Sequence, residues 1–326
     1  MKKNNFLPGW GINLTSKDVT QENYSWLVEC IIKLKFEWIR YEFDFFNSIT
    51  RPEESSFLEL CSKNHIKILG LLGYSVPGSL INVFFPELNH QPVTEKLKKF
   101  SLFATGQVNK YKKIIYHWEI LNETNTKRFW IKKPDHQEYV SILKKIVPKI
   151  RKIQPEASII FGGIMGNDDT PSVPFQEKQY LKKCLQKGAD PYFTVCNFHP
   201  YTVDSYLSVK NINQHMKSLN RVMDHAVNYA KDLCNKDVWF TEFGVSQSLW
   251  TRLRDHQVAD LYLESYKWCQ KRKIPLFLWS LCDAKGKQVS WFSPESHFGL
   301  LNIHDRPKPA FDYLVDRIDR MSFPIS

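Results

Sequence analysis

Two glutamates in the sequence stand at the ends of apolar segments, where a pair of carboxylates could carry out acid–base and nucleophilic chemistry. Glu123 follows the segment Ile114–Leu121, and Glu242 lies in the segment Val238–Phe243. Hydrolysis of a glycosidic bond needs such a pair, because its oxocarbenium-like transition state requires a proton donor on one side and a carboxylate on the other. A single glutamate at a strand end is more often half of an ion pair, so the pair is the informative feature.

Polar and aromatic residues near the ends of other apolar segments supply the remaining groups that sugar chemistry uses. Sugar hydroxyls need hydrogen-bonding partners, and sugar C–H groups pack on flat aromatic faces. Each of these residues alone has a plain structural explanation, such as a hydrogen-bonded core histidine or a packing tryptophan. The candidate substrate-binding residues are Arg40, Asn122, His199, Tyr201, Trp279, Asp283 and Trp291.

Three further aromatic residues, Trp10, Tyr74 and Trp250, are candidates for additional sugar platforms. For each of them, packing against the protein interior is an equally good explanation. Trp291 is the strongest platform candidate because it lies in the loop after the last predicted strand.

The elements that must position these residues alternate regularly along the chain. Eight short apolar runs are separated by amphipathic helical stretches, a pattern that predicts a parallel sheet with crossover helices. The predicted strands are Trp10–Leu14, Phe36–Phe43, Ile66–Leu72, Ile114–Leu121, Ser158–Gly163, Tyr192–Phe198, Val238–Phe243 and Pro275–Leu281. The predicted helices include Asn23–Leu34, Glu95–Tyr111, Gln137–Ile153 and His256–Lys271.

Eight such units in 326 residues favour a single (β/α)8 TIM barrel. An open dinucleotide-binding sheet is disfavoured, since no Gly-x-Gly-x-x-Gly follows the first strand. No linker or repeat divides the chain, so we expect one catalytic domain over residues 1–326. In a TIM barrel the active site lies at the carboxyl ends of the strands, which is where the candidate residues collect.

Two motifs make the sequence resemble a known group of enzymes. The stretch His117–Asn125 reads His-Trp-Glu-Ile-Leu-Asn-Glu-Thr-Asn, and Phe240–Gly244 reads Phe-Thr-Glu-Phe-Gly. They are similar to the Trp-Glu-x-Trp-Asn-Glu-Pro-Asn and Thr-Glu-Phe-Gly motifs of glycoside hydrolase clan A, with family 39 (β-xylosidases and α-iduronidases) and the cellulase-like family 5 as the nearest families. Leu121 stands where the clan has tryptophan and Thr124 where it has proline, and neither change removes a reacting group.

The resemblance implies a retaining glycosidase in which Glu123 is the general acid/base and Glu242 the nucleophile. It further implies that Asn122 holds the sugar 2-hydroxyl, that His199 orients the network and that Trp279 forms the floor of the sugar site. We also expect Tyr201 and Arg40 to contact Glu242, Arg40 as an ion pair. Strand alternation places Glu119 on the same face as Glu123 but deeper, so Glu119 should be a buried carboxylate with a cationic or hydrogen-bonding partner.

Charge and cysteine content limit the other partners that we expect. The formal net charge is +11, and much of the excess is lysine on predicted helices, which suggests a solvated outer ring. No nucleic-acid-binding motif accompanies it, so we expect no nucleic acid, while an acidic polysaccharide stays open as a substrate. The seven cysteines are scattered without Cys-x-x-Cys pairs, which fits neither a disulfide framework nor a zinc site.

The remaining expectations concern location, cofactors and alternative functions. No apolar stretch is long enough to span a bilayer, and no signal peptide is visible, which favours the cytoplasm, although a secreted chain without its leader would look the same. We expect no cofactor and no catalytic metal, because His199 has no second histidine placed to complete a site. The alternative function is a carbohydrate-binding barrel without hydrolytic activity, and the sequence leaves the oligomeric state open.

Overall fold

The computed structural model describes residues 6–43, 45, 51–73, 93–126, 129, 134–166, 176–202, 205, 211–248, 253–285 and 293–321. Its strands are β1 (Leu7–Thr15), β2 (Phe36–Phe43), β3 (Lys67–Leu72), β4 (His117–Ile120), β5 (Ser158–Phe161), β6 (Ile164–Met165), β7 (Val195–His199), β8 (Asp237–Phe243) and β9 (Leu276–Leu278). Its helices are α1 (Tyr24–Lys33), α2 (Pro52–Lys63), α3 (Val93–Tyr111), α4 (His136–Ile153), α5 (Gln176–Gln186), α6 (Ile212–Leu233), α7 (Asp255–Gln270) and α8 (Pro309–Arg320).

The strands form one closed parallel barrel. Strands β1 to β5 pair in chain order, as do β6 to β9, while β1 pairs with β9 and β5 pairs with β7. The short strand β6 continues the fifth barrel position after Gly162 and Gly163 and pairs with β7. Eight strand positions with helices between them make a (β/α)8 TIM barrel, which confirms the predicted fold.

The predicted strand boundaries differ from the observed ones where the local backbone changes. The fourth strand ends at Ile120 because Leu121 has a φ of +64°, outside the extended region. The sixth predicted strand begins only at Val195, because Asp190–Tyr192 forms a 3-10 turn with Pro191 at its start.

The helices bury one face against the barrel and present their charges outward. In α4 the buried side chains include Tyr139, Leu143 and Ile146, whereas Lys144 and Lys145 are exposed. The lysines of this helix therefore form part of a solvated outer face, as the sequence suggested. Within the described residues, no helix is both long and apolar enough to cross a bilayer.

Large side chains fill the lower part of the barrel, at the amino ends of the strands. This base cluster consists of Trp38, Leu69, Ile160, Val195, Trp239 and Phe277. The rings of Trp38 and Trp239 lie 5.3 Å apart, and Phe277 packs on Trp239 at 6.1 Å. Phe277 fits only because residue 11 is glycine, since a Cβ there would come within 2.5 Å of the ring.

Strand alternation then determines what lies above the base cluster. Inward-facing positions recur every second residue, so Arg40 follows Trp38 and Thr241 follows Trp239 toward the carboxyl ends. The next inward layer is therefore polar, and the candidate catalytic residues lie above it.

Candidate active site

Glu123 is carried by an unusual backbone just after β4. Leu121 and Glu123 both have positive φ angles, +64° and +44°, which side-chain-bearing residues rarely adopt and which cost about 1 to 3 kcal/mol each. The loop is held by Asn125, whose side chain exchanges two 3.0 Å hydrogen bonds with the backbone of Met165 in β6. The loop after Glu123 is thus fixed without the proline that Thr124 replaces.

Glu242, near the end of β8, has a different set of partners. The Tyr201 hydroxyl donates to Glu242 Oε1 at 2.9 Å, and Arg40 Nη1 lies 3.3 Å from Oε2. Both contacts were expected from the sequence and both are present. Two donors on one carboxylate favour its charged form.

Arg40 is the centre of the polar layer beneath the two glutamates. Its guanidinium binds Glu119 through two bonds, Nε to Oε2 at 2.7 Å and Nη2 to Oε1 at 2.9 Å. It also donates to Asn122 Oδ1 at 2.7 Å and to Asn13 Oδ1 at 2.8 Å. Arg40 is the partner that the buried carboxylate of Glu119 requires, and a fully bonded pair of this kind is tolerated where a single buried charge is not.

The contact with Arg40 also fixes the orientation of Asn122. Because Oδ1 of Asn122 accepts from the guanidinium, the side-chain NH2 points the other way. Asn122 is therefore arranged as a hydrogen-bond donor beside Glu123.

His199 lies between the two glutamates at the end of β7. Its Nδ1 is 3.0 Å from Glu123 Oε1 and 3.8 Å from Glu242 Oε2, and its Nε2 is 3.2 Å from Thr241 Oγ1. Its ring passes close to Gly163, where a Cβ would come within 2.1 Å of Nε2. The glycine that interrupts the fifth barrel strand therefore makes room for the histidine.

One carboxylate oxygen from each glutamate and one ring nitrogen of His199 all lie within 4.8 Å of one another. Among the residues that the structure describes, these three side chains form the group that could contact a bound cation. Their atoms are already engaged, Glu123 with His199 and Glu242 with Arg40 and Tyr201. We therefore interpret them as two neighbouring carboxylates with a histidine between them, and not as a metal site.

We expect full activity after exhaustive treatment with a chelator, because this interpretation gives the three side chains no metal to hold. Activity would be measured before and after chelation and again after adding back individual divalent ions. Loss of activity that one particular ion restores would contradict the expectation.

The electrostatics of Glu242 reflect its burial. Removal from water raises the pKa of this carboxyl above its ordinary value, and the charge of Glu123 adds to the rise. His199, Arg40 and the hydrogen bond from Tyr201 act in the opposite direction and lower the pKa. The ionised form thus depends on these three neighbours.

Two other candidates predicted from the sequence, Trp279 and Asp283, lie among the described residues. Trp279 is half-buried at the end of the last barrel strand, next to Gly244, where any Cβ would meet the Trp279 carbonyl oxygen at 2.2 Å. Asp283 is buried and accepts from Lys308 Nζ at 2.7 Å and from the Gly299 backbone N–H at 2.9 Å. These bonds hold the closing segment of the chain, and a role of Asp283 in substrate binding stays a prediction. Trp291 lies outside the described residues.

Of the three additional candidates for sugar platforms, only Trp10 lies among the described residues. Trp10 is fully buried and packs between Phe36 and Tyr266, with ring centroids 5.1 and 4.8 Å away. Packing is therefore the correct explanation for Trp10, and a role as a sugar platform is wrong. Tyr74 and Trp250 lie outside the described residues.

Sequence reasoning missed the polar residues of the layer below the glutamates. Asn13 joins Arg40 to the backbone carbonyls of Thr241 and Leu278, both at 3.0 Å. Asn197 accepts from the Thr241 hydroxyl at 2.8 Å. The available signal was a polar residue at an inward position of an otherwise apolar strand.

Comparison with known proteins identifies a family for the chain. The family model for cellulases, glycosyl hydrolase family 5, matches residues 81–285, which is more than half of the chain and includes both glutamates. Comparison with curated proteins gives no match.

Several solved structures share the fold. A family 39 glycoside hydrolase from Bacteroides cellulosilyticus is 18% identical with a TM-score of 0.66 and covers 97% of this chain, which spans 64% of that protein. A β-xylosidase from Caulobacter crescentus is 15% identical with a TM-score of 0.65, with 98% of this chain and 69% of that one covered. An endo-laminarinase from Formosa is 16% identical with a TM-score of 0.67, with 95% and 88% covered.

At these identities the solved structures establish the fold, and the family model establishes the relationship. The barrel, the two glutamates and the match over residues 81–285 lead to the same result. The chain belongs to the cellulase family, glycosyl hydrolase family 5, within the clan A glycoside hydrolases.

Proposed function

We propose that the protein is a retaining glycoside hydrolase in which Glu242 is the nucleophile and Glu123 the general acid/base. The observation that carries the proposal is the pair of carboxylates whose oxygens approach within 4.8 Å while their partners differ. Retaining enzymes hold their carboxyl groups about 5 Å apart, whereas inverting enzymes leave a wider gap of about 6.5 to 9.5 Å for a water molecule.

The different partners suggest different roles. Glu242 has an arginine and a tyrosine hydroxyl, both of which stabilise a carboxylate ready to attack the anomeric carbon. Glu123 contacts an imidazole nitrogen, a group that can share a proton with it. Glu123 would protonate the departing oxygen and then, as a base, activate the water that hydrolyses the glycosyl-enzyme.

The substrate-binding groups are assigned on the same basis. Asn122 presents its NH2 group beside Glu123, where it can donate to the sugar 2-hydroxyl, a contact that strengthens in the transition state. Trp279 is half-buried at the same end of the barrel, where we propose that its ring forms the floor of the sugar site. The substrate is an oligo- or polysaccharide, and the positive charge of the protein is compatible with an acidic one.

A panel of aryl glycosides and polysaccharides tests the proposal directly. We expect hydrolysis of at least one member, with NMR spectroscopy showing that the first product anomer has the configuration of the substrate. A product that first appears with inverted configuration would exclude the double displacement. Binding to glycans without hydrolysis of any would favour the carbohydrate-binding alternative.

Replacement of Tyr201 by phenylalanine should move the acidic limb of the pH–rate profile to higher pH. The hydroxyl of Tyr201 lowers the pKa of Glu242, so its removal raises that pKa further. Since the nucleophile acts when ionised, activity would then be lost at a higher pH as the solution is acidified. The measurement is kcat/KM against pH, and we expect a shift of up to about one unit.

The matched control for this variant is Tyr266→Phe. Tyr266 donates to the backbone carbonyl of Pro8 near the amino end of β1, at the opposite end of the barrel from Glu242. The Tyr266→Phe variant should therefore have the same dependence of kcat/KM on pH as the wild type. Equal shifts in both variants, or a shift of the Tyr201 variant toward lower pH, would contradict the assignment.

A further inference from the structure

A chain of hydrogen bonds connects Asn197 to His199 through Thr241, and one backbone N–H determines its direction. The backbone nitrogen of Thr241 lies 3.2 Å from Asn197 Oδ1. A backbone N–H can only donate, so the Asn197 atom that faces it must be the oxygen and not the NH2 group. The orientation of the Asn197 amide is therefore fixed.

The Thr241 hydroxyl is the next member of the chain. Its Oγ1 lies 2.8 Å from the same Asn197 oxygen and 3.2 Å from His199 Nε2. The amide oxygen can only accept, so the hydroxyl hydrogen must point toward Asn197. Oγ1 then has only lone pairs to offer His199, and Nε2 must carry a hydrogen.

The other ring nitrogen faces Glu123. A neutral imidazole with its hydrogen on Nε2 has an acceptor at Nδ1. Nδ1 lies 3.0 Å from Glu123 Oε1, a distance at which an acceptor nitrogen and a carboxylate oxygen need a hydrogen between them. One proton therefore has to be shared by Glu123 and His199.

We propose that Asn197 and Thr241 are positioning residues that keep the hydrogen of neutral His199 on Nε2, so that Nδ1 can only accept and the proton between Nδ1 and Glu123 belongs to the Glu123 carboxyl. Glu123 is thus loaded as a general acid before the substrate binds. This inference rests on the proposed role of Glu123 and adds to it the residues that maintain its proton.

The surroundings of the pair support a retained proton. Arg40 and Glu119 neutralise each other in the layer below, and Tyr201 is hydrogen-bonded to Glu242. Glu242 Oε2 lies 3.8 Å from His199 Nδ1 and 3.3 Å from Arg40 Nη1. One guanidinium thus faces two carboxylates, those of Glu119 and Glu242, and the negative charge left over favours a proton on the pair. Asn197, Thr241 and His199 are fully buried, so bulk water does not compete for their hydrogen bonds.

Asn197 is also poorly explained by packing alone. Within the described part of the chain, its Nδ2 has no hydrogen-bond partner, although the atom is buried. Burial of an unsatisfied donor is unfavourable, so an apolar residue would serve the core better. An asparagine at this position is explained by its oxygen, which accepts hydrogen bonds from the backbone N–H and the hydroxyl of Thr241.

The test replaces the Thr241 hydroxyl with a methyl group in Thr241→Val, with Thr241→Ser as the variant that keeps the hydroxyl. Nitrogen-15 NMR of labelled histidine, with His199→Gln used to assign the signals, reports the tautomer in the free protein. We expect hydrogen on Nε2 in the wild type and in Thr241→Ser. In Thr241→Val, Nε2 has no acceptor, so we expect the pair to release one proton to solvent and to keep the other on Nδ1, where it faces an ionised Glu123.

The same variants should differ in their pH–rate profiles. In Thr241→Val the acid is unloaded, so the basic limb of kcat/KM should move to lower pH by about one unit. At neutral pH, kcat for a poor leaving group should fall by up to about 100-fold. KM should change little, and a leaving group that departs without a proton should be nearly unaffected. Thr241→Ser should restore the wild-type limb.

A wild-type His199 with a bare Nε2 would overturn the inference, as would identical shifts of the basic limb in the valine and serine variants. The tautomer is measured without substrate, so it distinguishes this failure from that of the proposed function. If the wild type cleaves no glycoside, the proposed function fails, whatever the NMR result. If it cleaves glycosides but has the other tautomer, only the present inference fails.

Discussion

Replacement of Glu242 by glutamine should reduce the hydrolysis of every glycoside by a factor on the order of 10⁴ or more. A glutamine at this position retains the shape of the side chain and an oxygen that can accept from Tyr201, but it cannot form the covalent intermediate. The loss should therefore be equally severe for good and poor leaving groups. Initial rates with both kinds of substrate measure the effect, and Glu264→Gln, an exposed glutamate on α7, is the matched control.

Thermal unfolding distinguishes a lost nucleophile from a damaged fold. The pKa of Glu242 is raised in the folded protein, so the folded state binds more protons than the unfolded state around this pKa, and stability falls as the pH rises through it. An uncharged glutamine removes this contribution. We expect Glu242→Gln at neutral pH to unfold at the same temperature as the wild type or higher. An inactive variant with a clearly lower Tm would point to misfolding, and substantial remaining activity would exclude Glu242 as the nucleophile.

Replacement of Glu123 by alanine should affect substrates according to their leaving groups. Natural substrates, whose leaving oxygen needs a proton, should slow by about 10²- to 10⁴-fold. Formation of the intermediate from a substrate with a good leaving group should be largely spared, because that group departs without protonation. Hydrolysis of the intermediate would then be slow, since no base activates the water. A burst of leaving-group release followed by a slow steady rate is the expected time course.

Added azide separates the two roles in the same variant. Azide needs no general base, so it should accelerate the second step of Glu123→Ala and yield a glycosyl azide with the anomeric configuration of the substrate. Glu242→Ala provides the comparison, because there azide would replace the nucleophile and give the inverted configuration. If azide restores only Glu242→Ala and has no effect on Glu123→Ala, the two roles are exchanged.

Much of the site was predictable because barrel geometry converts sequence position into spatial position. The carboxyl ends of all eight strands meet at one mouth, so Glu123, His199 and Glu242 could be expected together although they come from three different strands. The contacts of Tyr201 and Arg40 with Glu242 were expected once the resemblance to clan A had pointed to Glu242 as the nucleophile. The sequence indicates where each strand ends, and closure of the barrel brings those ends together.

The polar layer beneath could not be predicted in the same way. Asn13 is 228 residues from Thr241 in sequence, and their contact depends on the register of strands on both sides of the barrel closure. A one-residue change of register would turn either side chain to the other face. Trp10 illustrates the same limit, since only its neighbours Phe36 and Tyr266 distinguish a core residue from a sugar platform.

The base cluster limits the routes by which substrate and water can reach the two glutamates. Trp38, Trp239 and Phe277 close the barrel below the polar layer, so reactants and products have to use the mouth. In a double displacement carried out here, the leaving sugar departs through the same opening by which the hydrolytic water arrives. A leaving sugar that stays in the opening blocks the entry of water. Its own hydroxyl group can then accept the glycosyl group in place of water. The ratio of hydrolysis to transfer of the glycosyl group to another sugar then depends on the rate at which the leaving sugar dissociates from the opening.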